Sequence, residues 1–207
     1  MKLGLLMACS ALVAIAQPAF AGNPGIDFTG GQDFGSSVWN LGYSFTANTN
    51  VSVVGLGNWA GAEFPQDQQV GLWDSQGNLL ASAFVSNSDT SIGAWKFHSI
   101  AAVQLVAGQT YIVGGQGGAE YTGLISNVTV DSRITYGTDL FTDVGTQNDP
   151  LVMPTDSEGE PHGWFGGNVE LASGAVPEPA SWALMLGGFG AIGGAMRSRR
   201  KTAVSFG

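Results

Sequence analysis

From Val38 to Val130 the chain repeats one pattern, and it limits the fold more than anything else in the sequence. Short β-type runs recur about every ten residues, separated by clusters of Gly, Asn, Asp and Ser, as in sandwiches and barrels. Val38–Thr46 alternates, with Trp39, Leu41, Tyr43 and Phe45 on one side and Val38, Asn40, Gly42 and Ser44 on the other. Val51–Trp59 follows after Asn48-Thr49-Asn50. Gln69–Trp73 and Leu79–Val85 flank Asp74-Ser75-Gln76-Gly77-Asn78, a hairpin in which glycine supplies the positive φ. Further strands are expected at Trp95–Ile100, Val103–Val106, Thr110–Gly114, Leu124–Val130 and Gly163–Leu171. Helix signals are nearly absent from this stretch. The expectation is all-β: a single antiparallel β-sandwich, jelly-roll-like, over residues 22–176.

The two ends differ from that body. Lys2 precedes the apolar run Leu3–Ala16, and Gln17-Pro18 leads into Ala19-Phe20-Ala21. A cation, an apolar core and a small-x-small site make a secretory signal peptide over 1–21, cut after Ala21, with Ala19 and Ala21 as the recognition residues. Residues 180–196 carry no charge, and Arg197, Arg199, Arg200 and Lys201 follow at once. As a helix this stretch spans about 26 Å, at the short edge of what crosses a bilayer core. The cations hold the C-terminal tip in the cytoplasm. Both ends therefore imply one topology, with the body exported and a short C-terminal hydrophobic helix in the inner membrane before processing.

The tail has a specific resemblance. Pro177-Glu178-Pro179, then Trp182-Ala183, a short Gly-rich apolar segment and the cluster at 197–201 resemble the PEP-CTERM sorting signal in its variant with Trp-Ala. The resemblance implies that 177–201 is a sorting signal, with Pro177, Glu178, Pro179, Trp182, Ala183, Arg197, Arg199 and Arg200 as its motif. It also implies a partner, the exosortase, a membrane-embedded peptidase. Two prolines keep the backbone extended and so accessible to a peptidase. The middle of the body, Trp39–Gly115, resembles uncharacterised β-sandwich domains of bacterial surface proteins, some attached to carbohydrate-active enzymes. That resemblance implies a fold and no activity.

Without the two ends, about 155 residues remain, one domain with a real core. Lys96 and Arg133 are its only basic residues, against fifteen of the chain's sixteen acidic ones, a formal charge near −13. Such a surface repels nucleic acid and anionic lipid. The lone cysteine, Cys9, is lost with the signal, so the body has neither disulfide nor thiolate chemistry.

Few residues suggest chemistry. Asp156, Glu158 and Glu160, with His162 nearby, offer oxygen ligands for Ca²⁺, but without the spacing of an EF-hand, and Pro154 and Pro161 bracket them as a solvated loop. Otherwise no cofactor is expected. Asp139, Asp143 and Asp149 read as a second acidic loop over Tyr136–Pro150, and Gly114–Gly118 as a hairpin loop. Trp59 and Trp164 lie beside Gly-rich turns and are the candidates for stacking on a sugar ring. No nucleophile elbow or zinc motif is present. The expected function is that of a non-catalytic cell-envelope or matrix protein with exopolysaccharide as a candidate partner. The alternatives are a carbohydrate-binding module and a glycoside hydrolase or lyase, which would need two carboxylates facing one cleft.

Overall fold

The structure, a computed structural model, describes residues 22–30, 32–35, 39–60, 66–116, 120–123, 127–146, 149–159 and 164–173. The strands are β1 (Gly22–Pro24), β2 (Ile26–Asp27), β3 (Gln32–Gly35), β4 (Trp39–Ala47), β5 (Val51–Trp59), β6 (Gln68–Asp74) and β7 (Leu79–Val85). They continue with β8 (Thr90–Ile92), β9 (Trp95–Leu105), β10 (Thr110–Gln116), β11 (Glu120–Gly123), β12 (Thr129–Val130), β13 (Ile134–Asp143) and β14 (Gly167–Ala172). One five-stranded sheet runs β1-β14-β5-β9-β8 and a second runs β13-β4-β10-β6-β7. Two short pairs, β11-β3 and β12-β2, flank them. Every pairing is antiparallel.

The alternation in β4 does what its sequence implies. Tyr43, Phe45 and Ala47 are fully buried and enter the core with Val70, Leu72 and Val113 of the same sheet. Val53, Trp95, Phe97, Val169 and Leu171 answer from the other sheet. Phe165 packs edge-on to Tyr43 with ring centroids 5.7 Å apart, and Phe28 meets Trp95 at 5.6 Å. Asn168 is a buried polar residue that meets the core directly. Its side-chain oxygen accepts from the Tyr43 hydroxyl at 2.7 Å and its amide donates to the Ile26 carbonyl at 2.8 Å. A buried amide with several partners joins both sheets and the N-terminal segment without an orphaned group.

Several strands depart from the sequence reading, each for a local reason. Trp95–Ile100 and Val103–Val106 are one strand, β9. Val53 faces Val103 while Gly55 faces Ser99, so a bulge absorbs the residues between the two expected runs. Tyr136–Pro150 is not a loop, since its first half is the edge strand β13. A bulge falls between Tyr136 and Asp139, and the Thr138 N–H donates to the Ser44 hydroxyl at 3.1 Å. That bulge interrupts the period of two and hides the strand. Of the expected strand Leu124–Val130, residues 124–126 lie outside the described residues; in the rest Thr129–Val130 is strand, and Asn127 before it takes a φ of 55°.

Gly114–Gln116 is not a loop either. It lies inside β10, in the middle of its sheet. Gly114 pairs with Gly42 on one side and Gly71 on the other, a row of three glycines across three strands. A Cβ at Gly114 would lie 2.8 Å from the Pro154 ring, and one at Gly71 2.8 Å from Leu151. The row forms a trough on the outer face of the sheet, and the segment from Leu151 to Pro154 fills it. Trp73, on the same face, is consequently only 4% exposed. Asn40 anchors the segment by donating to the Val152 carbonyl at 2.7 Å. Asp156 then exchanges backbone hydrogen bonds with Phe141 of β13.

Candidate functional site

The first and last strands of the sandwich are neighbours. β1 pairs with β14 so that Gly22 faces Ala172, Asn23 faces Leu171 and Pro24 faces Glu170. Gly22 is the first residue after the expected signal cleavage, and Ala172 lies just before the expected sorting tail. The residues that border the two expected address segments therefore meet at the outer edge of one sheet.

That edge is held by polar contacts that the apolar pattern does not announce. The Gly22 N–H donates to Oε1 of Glu170 at 2.8 Å. Glu170 is 6% exposed, and burial pushes its carboxyl above the ordinary value of 4.5, offset in part by the Gly22 hydrogen bond. Arg133, one of the two basic residues of the body, donates from Nε and Nη2 to the two oxygens of Asp131 at 2.8 and 2.7 Å. The side-chain hydrogen bond from Arg133 comes first among the causes that hold the Asp131 carboxyl below 3.8, and a contact from Asn23 adds to it. The remaining Arg133 nitrogen, Nη1, donates to the Ala172 carbonyl. The guanidinium thus ties β14 to the turn before β13, and Asp131 joins that turn to Asn23 of β1.

A second polar corner lies on the opposite sheet. Asp139 is 1% exposed, and its Oδ1 lies 3.1 Å from both the Thr138 and Ser157 hydroxyls. The Glu158 N–H reaches Oδ2 at 3.4 Å. Burial, and after it the Asp139 charge, raises the Tyr136 phenol above its ordinary value. Asp139 therefore fastens the segment that crosses the sheet. Asp156 and Glu158 are exposed on that segment, and Glu160 lies outside the described residues together with His162. Among the described residues no three His, Cys, Asp or Glu side chains converge on a point.

The two candidate tryptophans come to one end of the sandwich. The Trp59 N–H donates to the Gly166 carbonyl at 3.0 Å, two residues beyond Trp164. Both are half-buried, and Trp59 packs against the core. The signal cleavage residues Ala19 and Ala21 lie outside the described residues. So do all the motif positions of the tail, Pro177, Glu178, Pro179, Trp182, Ala183, Arg197, Arg199 and Arg200, and the apolar stretch 180–196.

Residues 29–164 match the family described as a domain of unknown function, DUF4082. The chain belongs to the DUF4082 family. The matched span holds β3 to β13, while β1, β2 and β14 extend the DUF4082 sandwich on either side of it. Residues 175–201 match the PEP-CTERM protein-sorting motif, as the tail resemblance implies. This DUF4082 protein is thus exported and targeted to an exosortase, which processes such tails. No curated protein and no solved structure matches the chain.

Proposed function

We propose that the mature protein is a non-catalytic β-sandwich of the cell envelope or extracellular matrix, delivered through its PEP-CTERM tail after removal of an N-terminal leader. The observation that carries this reading is the pairing of Gly22 with Ala172. A body whose two ends leave side by side can be held close to a membrane by either end without unravelling a strand. The use made of the two buried carboxylates supports a structural role. Asp139 and Glu170 both accept hydrogen bonds that fasten chain segments. The acidic body suits solubility outside the cell and repels anionic lipid. Exopolysaccharide is the proposed environment.

Deleting residues 177–201 tests the reading by fractionation. The protein is expected to leave the envelope or matrix fraction, and an unchanged distribution would sink the idea. Mass spectrometry of the native C-terminus is expected to find it close to Pro177-Glu178-Pro179.

A second reading, a carbohydrate-binding module, draws on the joining of the Trp59 and Gly166 backbones, which brings two tryptophans to one end of the sandwich. Aromatic faces suit the apolar faces of pyranoses. Retardation in gels containing the producer's own polysaccharide is expected to be lost in Trp164→Ala while the melting temperature holds. Equal mobility with and without polysaccharide would count against it.

A further inference from the structure

The contact between Gly22 and Glu170 is built for more than a peptide N–H. Glu170 is the sole titratable residue of β14, and β5 beside it carries none at all. Arg133 and Asp131, which contact Ala172 and Asn23 at the ends of β14 and β1, are committed to each other and to the Ala172 carbonyl. Among the described residues the hydrogen-bond donor to the Glu170 carboxylate is the nitrogen of Gly22. Position 22 also excludes a side chain. A Cβ there would lie 2.5 Å from Cγ of Glu170 and 2.7 Å from the Leu171 carbonyl oxygen. The contact is part-buried, and one neutral donor leaves this carboxylate without the opposite charge that would offset its partial desolvation.

We propose that removal of the leader completes this site: the α-ammonium of Gly22, created by cleavage after Ala21, forms an ion pair with Glu170 that locks β1 onto β14. The inference rests on the reading of residues 1–21 as a cleaved leader. The chemistry is a hydrolysis by a leader peptidase. Water adds across the Ala21–Gly22 peptide bond, Ala21 departs as a carboxylate, and Gly22 keeps the amine. A chain-terminal amine has a pKa of about 8 and takes up a proton at neutral pH. The donor stays where it is, and its single N–H becomes a cation with three. Only the processed chain then carries a neutralised Glu170, so export and the final closing of the sandwich edge are coupled. The groups facing the pair are few. β1 contributes no titratable group besides the amine, β5 and β14 contribute none besides Glu170, and the turn before β13 contributes the Asp131–Arg133 pair.

The test compares two forms of the full mature chain in detergent, one beginning at Gly22 and one retaining Ala21. At neutral pH the chain with a free Gly22 is expected to melt higher by roughly 5 °C, as a charge-assisted bond in a protein of this size would give. Glu170→Gln should close that gap. Equal melting of the two wild-type chains, or a gap that survives Glu170→Gln, overturns the proposal. If Glu170→Gln does not fold, carbon-detected titration of the Glu170 carboxyl decides instead. It should titrate at lower pH beside the free amine than beside the amide, and identical titrations overturn the proposal. N-terminal sequencing of the protein from its producing cell checks the leader separately. A different first residue would remove the reading of residues 1–21 and leave the measured coupling between Gly22 and Glu170 intact.

Discussion

Asp139 and Glu170 are both buried carboxylates near sheet edges, yet their surroundings differ. Asp139 sits at a bulge and gathers two hydroxyls and a backbone N–H from the segment it fastens. Glu170 also lies at a register shift, where β14 passes from Gly55 to Val53 of β5, but it has only the Gly22 nitrogen. The first corner is complete within the folded body. The second becomes complete, on our proposal, through processing. Burial alone therefore does not say whether a carboxylate stabilises a fold. The supply of donors decides, and here that supply depends on where the chain begins.

Breaking the complete corner should have an effect at least as large. Asp139→Ala removes the shared acceptor of Thr138, Ser157 and Glu158, and loosens the segment from Leu151 to Asp156 that covers the glycine trough. A buried group left without its partner costs about 1–3 kcal/mol. The expected loss is about 2 kcal/mol, read as a melting temperature lower by roughly 5 °C. Trp73 should become accessible to an aqueous fluorescence quencher in the same variant. A melting temperature within one degree of wild type would mean that the segment is held by apolar contacts alone.

The contrast also explains what could be read from the sequence. β4, with its period of two, was legible to within a residue because burial on one face demands alternation, and the bounds of β5 were read as closely although a bulge breaks its register. The hairpin at Gly77 was legible because its φ of 85° needs glycine. The strand carrying Asp139 was not. Its bulge shifts the period, and an acidic residue there looks like a turn until its three donors are seen in space. The glycines of β10 were misleading for a related reason. Glycine marks loops, but it also marks places where another segment lies directly on a sheet, and only the neighbours distinguish the two. The edge at Gly22 and Glu170 had no local signal, since its partners are separated by nearly the whole body. The tryptophans at 59 and 164 were singled out for the glycines near them in sequence, but their common end of the sandwich is a long-range property.

Acidity gives the next largest effect, and its sign separates the two kinds of carboxylate. With an amide at Gly22, burial raises the Glu170 carboxyl above its unfolded value of 4.5. The folded state then holds the proton more tightly than the unfolded one. Stability is greatest below that value and falls as pH rises through the higher folded value. Asp131 runs the other way. Its carboxyl is lowered beneath 3.8, first by the Arg133 hydrogen bond, so its contribution is present above that value and is lost as pH falls through the folded one. Glu170→Gln in the chain that retains Ala21 should therefore flatten the decline above pH 4.5 and leave the loss below 3.8 untouched. Melting curves between pH 3 and 7 test this, and a variant that changes only the acid limb would reverse the assignment.

The smallest expected effect lies at Arg133, which links the two edges of the comparison. Its guanidinium meets both oxygens of Asp131 and still reaches Ala172, a geometry an ammonium cannot reproduce. The pair is partly open to solvent, with side-chain exposures of 23% and 10%, so screening limits its worth. Arg133→Lys keeps the charge and loses the fork, and should cost about 0.5–1 kcal/mol. The loss should be local before it is global. Hydrogen exchange is expected to quicken at Gly22–Gly25 and Leu171–Ala172 while the amides of β4 and β10 keep their protection, because β1 and the end of β14 form the outer edge of the sandwich and can open without exposing Tyr43 or Phe45. Uniform loss of protection across both sheets would show instead that Arg133 supports the core, and that the edge where both address segments leave is no weaker than the rest.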